Sequence, residues 1–261
     1  MWLDEEKTIY KRDLALSKPF VNAAGALGFV PDKRRVPLLN ELGAFITHPI
    51  SFRPRQPAAN RVYVPFNGGF LLHTGLPNPG INQAIRRFSR SWASADLPII
   101  VHLLVESPET LIEMLRKLEG LENILGIALG LPPACDPAAF STIMAAGAGE
   151  LPLIPCLEPE QVPLLMDALL SMQPAMVHLV EPRGSLPGGG GEIVSGRLYG
   201  PAIFPIMFKA AQKLSAAGLR VIANGGIAAR WQVDALMAIG VTAVGLGSVL
   251  WWIDPEEALK S

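Results

Sequence analysis

Short apolar runs alternate with segments of helical apolar spacing through most of the chain. Apolar runs of this length, separated by helical patterns, are typical of buried parallel strands in β/α units. Eight such strands are predicted, the number in a (β/α)8 TIM barrel, and no change in composition marks a second domain within residues 1–261. The predicted strands cover residues 20–22, 44–47, 98–103, 124–129, 151–157, 175–180, 219–223 and 241–246.

The segments between these strands predict helices and additions to the barrel. A hairpin is predicted over residues 9–16, and the last helix is short because only thirteen residues follow Ser248. Residues 51–72 are polar, contain prolines and are too long for a plain connection, so they form either a functional loop or an extra hairpin. Residues 181–199 are glycine-rich and are predicted as a loop. Helices are predicted over residues 36–42, 81–92, 107–118, 137–146, 159–172, 201–217 and 228–239.

The last two predicted strands each end in a glycine-containing turn that opens a helix. Gly225 and Gly226 follow one strand, and Gly247 and Ser248 follow the next. Backbone N–H groups at two neighbouring helix N-termini suit a phosphate dianion, and the loops after strands 7 and 8 of β/α barrels frequently form such a site. The turns therefore predict a phosphate site, although the same residues also form ordinary tight turns.

Composition and charge narrow the expected partners. Half of the 261 residues are apolar, which is enough for a large core, and the net charge is −1 without a basic block. We therefore expect a small-molecule substrate and neither nucleic acid nor membrane as a partner. Residues 1–16 lack the apolar segment of a signal peptide, and Cys135 and Cys156 form no disulfide framework. A cytoplasmic location is expected.

Polar residues with catalytic potential lie in or just after predicted strands, whose carboxyl ends meet at the mouth of a barrel. Histidine there serves as acid, base or metal ligand, but no metal is predicted because the histidines lack ligand spacing; polar residues bonded within the core explain the same pattern. Arg183 and Arg197 border the glycine-rich segment, either as solvated side chains or in a lid over an anionic ligand. The other residues are His48, His73, His102, His178, Glu106, Glu158 and Glu181.

Six motifs follow one another along the chain: FVNAAG (20–25), GAFIT (43–47), GLPNPG (75–80), GPAIFP (200–205), NGGI (224–227) and VGLGS (244–248). In this order and approximate spacing they resemble the dihydroorotate dehydrogenases, and the cytosolic class 1 branch is nearest. The resemblance spans about residues 18–251 and implies a flavin mononucleotide (FMN) barrel of pyrimidine metabolism that oxidises dihydroorotate to orotate. The implied phosphate residues are Gly225, Gly226, Gly247 and Ser248, and the implied flavin-lining residues are Ala23, Ala24, Gly25 and Gly200.

The chain departs from this family where the substrate and the reactive edge of the flavin are bound. Two family lysines, after strand 2 and at the end of strand 5, align with His48 and Cys156, which we take as cofactor-binding positions. The asparagine ahead of the Gly-Leu turn aligns with Leu72. In the loop after strand 4, Gly130 and Pro133 replace an asparagine and the cysteine or serine base. The cofactor half of the pattern persists, and the half that binds orotate is largely lost.

Four residues are candidates for the remaining roles. Cys135, two residues beyond the aligned base, is a candidate catalytic base after a loop shift, and equally a small unreactive apolar residue. His48 is a catalytic candidate because an imidazole can carry positive charge beside a flavin or an anion. Asn78 and Glu181, which aligns with a further family asparagine, are predicted to bind the substrate.

Three classes of function remain open. The chain is a flavin oxidoreductase with altered or weak activity on dihydroorotate, a non-catalytic relative that binds flavin or a partner subunit, or a phosphate-binding lyase or isomerase without flavin. Trp251 and Trp252 in the last helix either cap the core or form an interface in a homodimer or with a partner subunit.

Overall fold

The computed structural model describes residues 13–32, 36–59, 62–247 and 250. Strands and helices alternate along these ranges. The strands are β1 (Phe20–Asn22), β2 (Phe45–Ile46), β3 (Val62–Phe66), β4 (Gly69–His73), β5 (Ile99–Leu104), β6 (Ile124–Gly130), β7 (Leu153–Leu157), β8 (Val177–Leu179), β9 (Arg183–Pro187), β10 (Ile193–Tyr199), β11 (Val221–Asn224) and β12 (Ala243–Leu246).

The helices follow the signals that the sequence carries. Ser107 caps α2 in a capping box with Thr110, and the side chain of Asp136 accepts a hydrogen bond from the N–H of Ala139 at the start of α3. The α-helices are α1 (Ile81–Ala93), α2 (Pro108–Leu118), α3 (Pro137–Ala146), α4 (Val162–Met172), α5 (Phe204–Ala216) and α6 (Arg230–Ala238), and the 3₁₀ helices are Pro37–Glu41, Pro159–Gln161 and Pro201–Ile203.

Eight parallel strands form the barrel in the order β1-β12-β11-β8-β7-β6-β5-β2. A parallel bridge between Val21 and Ala44 joins the two end strands. The side chain of Asn22 reinforces this seam, because it accepts a hydrogen bond from the Ile46 N–H and donates one to the Ile46 carbonyl, each at 2.7 Å. The predicted (β/α)8 barrel is confirmed.

The strands separate two apolar layers because successive residues point to opposite faces. One layer fills the barrel, with Ile46, Ile100 and Ile154 among its buried members. The other lies between the strands and the surrounding helices, where Leu103 and Leu129 are fully buried. This division leaves the upper barrel interior as the place where polar side chains of the strands converge.

A second, antiparallel sheet has the strand order β3-β4-β10-β9. Its first two strands confirm the extra hairpin as the correct alternative for residues 51–72. The loop predicted over residues 181–199 was wrong, because β9 and β10 pair from Arg183 opposite Arg197 to Pro187 opposite Ile193. The side chains of β9 alternate in exposure, the pattern of a strand with one covered face, and only residues 188–192 form the turn.

Several terminal predictions lie wholly or partly outside the described residues. Of the predicted N-terminal hairpin only residues 13–16 are described, and they form no strand. Ser248 and the two tryptophans of the short last helix lie outside the described ranges. Among the helices in the described ranges, none combines the length and apolar character needed to cross a bilayer.

Candidate ligand site at the barrel mouth

A cavity of about 450 Å³ opens at the carboxyl ends of the barrel strands. Side chains of the second sheet, including Phe70 and Tyr199, line its other side. These two rings are stacked with centroids 5.2 Å apart. Nine of the ten residues predicted to bind the cofactor line this cavity, and the tenth, Ser248, lies outside the described residues. The nine are Ala23, Ala24, Gly25, His48, Cys156, Gly200, Gly225, Gly226 and Gly247.

The two glycine turns lie at one end of the cavity. Gly225 and Gly226 have φ angles of +100° and +74°, which a side chain would strain. A Cβ atom on Gly226 would also lie 2.5 Å from the backbone nitrogen of Phe204. On Gly247 a Cβ atom would meet, among the described residues, only the Cβ of Ala23, at 3.6 Å. Gly226 is therefore needed for packing, whereas Gly247 tolerates a side chain.

The N-terminus of α6 contributes less to an anion site than the sequence indicated. The N–H groups of Ala228 and Ala229 donate to the side-chain oxygen of Gln232 at 2.6 and 2.9 Å. The amide of Gln232 in turn donates to the Gly226 carbonyl at 3.1 Å. Because these helix donors already have an acceptor, a phosphate here would depend on the N–H groups of the glycine turns.

Three histidines from different strands meet in the upper barrel. His102 is on β5, His178 is on β8, and His48 follows β2. In the part of the chain that the structure describes, five buried side-chain nitrogen or oxygen atoms have no hydrogen-bond partner, and four belong to these histidines. Folded proteins leave few such atoms. The four are His48 Nε2, His102 Nδ1, His102 Nε2 and His178 Nε2.

Burial keeps these imidazoles neutral near pH 7. Desolvation lowers the pKa of His178 to about 4 and that of His102 well below its usual value, and the positive charge of Arg197 lowers both further. Desolvation also lowers the pKa of His48, although backbone groups of Gly25 and Pro77 partly oppose this. His48 therefore carries a positive charge less readily than an exposed imidazole does.

Three charged side chains lie between the end of β7 and the second sheet, those of Glu158, Arg183 and Arg197. Glu158, just after β7, accepts a hydrogen bond from Arg183 Nε at 2.7 Å, and its Oε1 atom lies 3.4 Å from Arg197 Nη2. The two arginines occupy opposite positions on β9 and β10, so the carboxylate offsets two like charges. Arg197 also donates from Nη1 to the Glu181 carbonyl at 2.5 Å. The alternative that both arginines are merely solvated is excluded.

Glu181 lies in the cavity wall, as a substrate-binding role requires. Its Oε1 atom accepts a hydrogen bond of 3.0 Å from the side-chain amide of Asn224. Desolvation raises the pKa of this carboxyl, while Arg197 and Asn224 lower it in part. Burial likewise raises the pKa of Tyr199. Glu181 therefore keeps its proton at a higher pH than an exposed carboxyl group does.

Two predicted site residues do not reach the cavity. Cys135 is buried in the layer between strands and helices, and burial raises the pKa of its thiol. The side-chain oxygen of Asn78 accepts hydrogen bonds from Ser51 and from the Gly80 N–H, and its amide donates to the Leu76 carbonyl. Cys135 therefore packs in an apolar layer, and the side chain of Asn78 stabilises the turn before α1.

Two further predicted residues do not line the cavity, and a third lines it with a thiol that stays protonated. His73 on β4 and Glu106 after β5 are exposed and do not line the cavity. Cys156 does line it, with its sulfur 3.8 Å from His178 Nδ1, but burial raises the pKa of its thiol to about 12. Among the described residues, no group of three or more His, Cys, Asp or Glu side chains could hold a metal ion.

Several cavity residues escaped prediction as site residues. Phe70 and Tyr199 come from the second sheet, whose position over the barrel mouth is set by long-range pairing. Asn224 stands directly before the Gly-Gly turn and could have been found from that position alone. His102 was noted only as one of four histidines near strand ends.

The chain is a (β/α)8 barrel with a cavity at the carboxyl ends of its strands, which is where barrels of this class bind their ligands. No protein-family model matches the sequence. The chain is 28% identical to the catalytic subunit of dihydroorotate dehydrogenase B (NAD(+)) from Desulforudis audaxviator over 265 residues, 90% of this chain and 83% of the relative. The same subunit from Pelobacter propionicus is 25% identical over 93% of this chain and 87% of the relative. These similarities confirm the predicted relationship: the chain is a relative of the dihydroorotate dehydrogenase family.

A third relative covers less of the chain. The putative dihydroorotate dehydrogenase A (fumarate) of Aeropyrum pernix is 28% identical over 160 residues, 58% of this chain and 52% of the relative.

Proposed function

We propose that this protein is an oxidoreductase of the dihydroorotate dehydrogenase type that binds FMN in the barrel-mouth cavity. The meeting of two glycine turns from adjacent strands with the small residues Ala23, Ala24 and Gly25 in one cavity supports this function most directly. The relationship to dihydroorotate dehydrogenases supports the same reaction class.

The residues present fit FMN. The cavity of about 450 Å³ is within the range of about 300–1,000 Å³ usual for ligand pockets. The glycine turns at one end allow backbone N–H groups to approach a phosphate closely, because Gly225 and Gly226 carry no side chain there. Ala23, Ala24 and Gly25 would leave room for a flat ring system, and the unpartnered nitrogens of His48 and His102 in the cavity wall could form hydrogen bonds with it.

Once bound, FMN supplies the acceptor for a hydride taken from a C–H bond of the substrate. The chain's own residues bind and orient: the glycine turns hold the phosphate, and Phe70 and Tyr199 cover the cavity and exclude water. Glu181, with its raised pKa, is the group best suited to hold or release a proton.

We also propose that activity on dihydroorotate is weak. The family lysine positions hold His48, which burial keeps neutral, and Cys156, whose thiol stays protonated. Cys135 does not line the cavity and packs in the apolar layer between strands and helices. A flavin-binding relative without dehydrogenase activity is the second candidate that these observations favour. Anaerobic bleaching of bound flavin by dihydroorotate at an ordinary rate would contradict weak activity.

A partner subunit is a further expectation. Relatives of the chain are named as catalytic subunits of dihydroorotate dehydrogenase B. By this similarity we propose that the chain works with a second subunit or as a homodimer. Light scattering of the purified chain, alone and with a co-expressed candidate subunit, tests this.

Gly247 offers the sharpest test of the phosphate site. Gly247→Asp places a carboxylate beside the proposed phosphate without a backbone clash, and Gly247→Asn adds a side chain of the same size without charge. We expect the aspartate variant to lose FMN binding, measured by quenching of flavin fluorescence, and the asparagine variant to retain most of it. Equal affinities in the two variants would contradict a phosphate at this turn.

A further inference from the structure

His102 occupies an unusual position in the cavity wall. It lies on β5 and lines the cavity, yet only 6% of its surface is exposed. Neither ring nitrogen has a hydrogen-bond partner in the described part of the chain. Its backbone is fully engaged, since the N–H donates to the Thr47 hydroxyl and the carbonyl accepts from the Ile50 N–H. The ring is therefore fixed in place by its strand while its polar atoms remain unused.

The neighbouring strand makes room for this ring. A Cβ atom on Gly130 would lie 2.8 Å from His102 Nε2, closer than real Cβ atoms approach. Gly130 lines the cavity beside His102, at the end of β6. The imidazole of His102 thus occupies the space that a side chain at position 130 would need, and only glycine at that position leaves it free.

A buried imidazole with two unpartnered nitrogens weakens the folded state of the free protein. A leucine of similar volume would fill the space without that cost. Residues that reduce stability in this way are characteristic of binding sites, where the ligand completes the missing hydrogen bonds. The isoalloxazine ring of FMN has carbonyl oxygens and ring nitrogens that accept hydrogen bonds and an N–H group that donates one. A neutral imidazole can both donate and accept.

We infer that His102 is a flavin-binding residue of this chain, which forms a hydrogen bond with the polar edge of the FMN ring system and is accommodated by Gly130. This role rests on the proposed function, because it requires that FMN occupies the cavity.

His178 provides a matched control. It is also a fully buried barrel histidine with an unpartnered Nε2 atom, but it does not line the cavity. His102→Leu and His178→Leu each remove unpartnered buried nitrogens, so both should leave the apoprotein at least as stable as wild type in urea unfolding. Only His102→Leu should weaken FMN binding, by about tenfold or more in Kd, the loss expected for a buried hydrogen bond.

The outcomes separate the inference from the function on which it rests. A wild-type protein that binds no FMN overturns the proposed function and this role together. A wild-type protein that binds FMN while His102→Leu binds it equally well overturns the role of His102 alone. A parallel loss of affinity in His178→Leu also overturns it, because the effect would then be structural.

A second measurement does not depend on the leucine variants folding. In ¹⁵N-labelled wild-type protein, the ring nitrogens of the four histidines can be assigned by elimination. Addition of FMN should shift the His102 nitrogen signals and leave those of exposed His73 unchanged. Unchanged His102 signals in flavin-saturated protein would contradict the hydrogen bond.

Discussion

The side-chain amide of Asn224 donates a 3.0 Å hydrogen bond to the carboxyl group of Glu181, which joins the ends of β11 and β8 in the cavity wall. Asn224→Asp replaces this donor with a second carboxyl group, and two buried carboxyls at this distance must share a proton. We expect a loss of about 1–3 kcal/mol in the free energy of unfolding at neutral pH, partly recovered at about pH 5.

Glu181→Gln supplies the control for this pair. Combined with Asn224→Asp it rebuilds an amide–carboxyl hydrogen bond with the roles reversed, so the double variant should be more stable at neutral pH than Asn224→Asp alone. Urea unfolding of the three variants makes the comparison. Strictly additive losses would show that the two side chains do not interact.

Because Gly130 and His102 are in contact, we expect substitutions at the two positions to have strongly non-additive effects on the free energy of unfolding. Gly130→Ala forces a methyl group towards His102 Nε2, where the Cβ atom would lie at 2.8 Å. Overpacking of this kind costs about 1–3 kcal/mol in stability. In a His102→Ala background the same change should cost much less, because the obstructing ring is gone. A double-mutant cycle by urea unfolding measures the coupling, and a value near zero would place the imidazole elsewhere.

We expect the protein to lose stability in mild acid, because three of its histidines are wholly or partly buried. The folded-state pKa values of His48, His102 and His178 are lowered, that of His178 to about 4, whereas in the unfolded chain they lie near 6.5. The unfolded chain therefore takes up protons that the fold excludes. Stability is full above about pH 7 and falls as the pH decreases below about 6.5, in the case of His178 down to about pH 4, by at most about 1.4 kcal/mol per pH unit for each histidine.

Glu181 acts in the opposite direction, because its raised pKa favours the folded state as it gains a proton below neutrality. Urea unfolding at about pH 7.5, 6 and 5 measures the sum of these effects. His178→Leu should flatten the profile. A profile of His178→Leu that is superimposable on wild type would show that His178 is protonated equally in both states.

We expect the Glu158 carboxylate to stabilise strands β9 and β10 of the second sheet. Glu158→Gln removes the charge that offsets Arg183 and Arg197, which lie opposite each other on β9 and β10. We expect faster amide hydrogen exchange in these strands, by roughly two- to fivefold, as for the loss of 0.5–1 kcal/mol in a cross-strand pair. Asp234→Asn breaks only an exposed pair with Arg230 and serves as control. Unchanged exchange in Glu158→Gln would show that the hairpin does not depend on this carboxylate.

The barrel could be predicted because its strands carry a local signal. Each is a short apolar run between helical segments, and burial on both faces makes that run continuous. β9 and β10 were missed because the glycines at 188–191 indicated a loop, while the pairing of β10 with β4 joins residues distant in sequence. Non-local pairing leaves no such local signal in the two strands.

The site could be predicted in position but only partly in chemistry. Residues that follow parallel strands meet at one end of a barrel, which placed His48, Cys156 and Glu181 correctly in the cavity wall. The hydrogen bond between Asn78 and Ser51 could not be predicted, because the two residues lie 27 positions apart in sequence. Desolvation, which the sequence does not show, lowers the pKa of His48.

FMN binding by the wild-type chain tests the central claim most directly. Purified protein incubated with excess FMN and freed of unbound ligand should show a flavin absorbance spectrum at about one FMN per chain, with the flavin fluorescence changed on binding. Gly247→Asp, treated identically, should emerge without flavin. A colourless wild-type protein after this treatment would contradict the assignment of the barrel-mouth cavity as a flavin site.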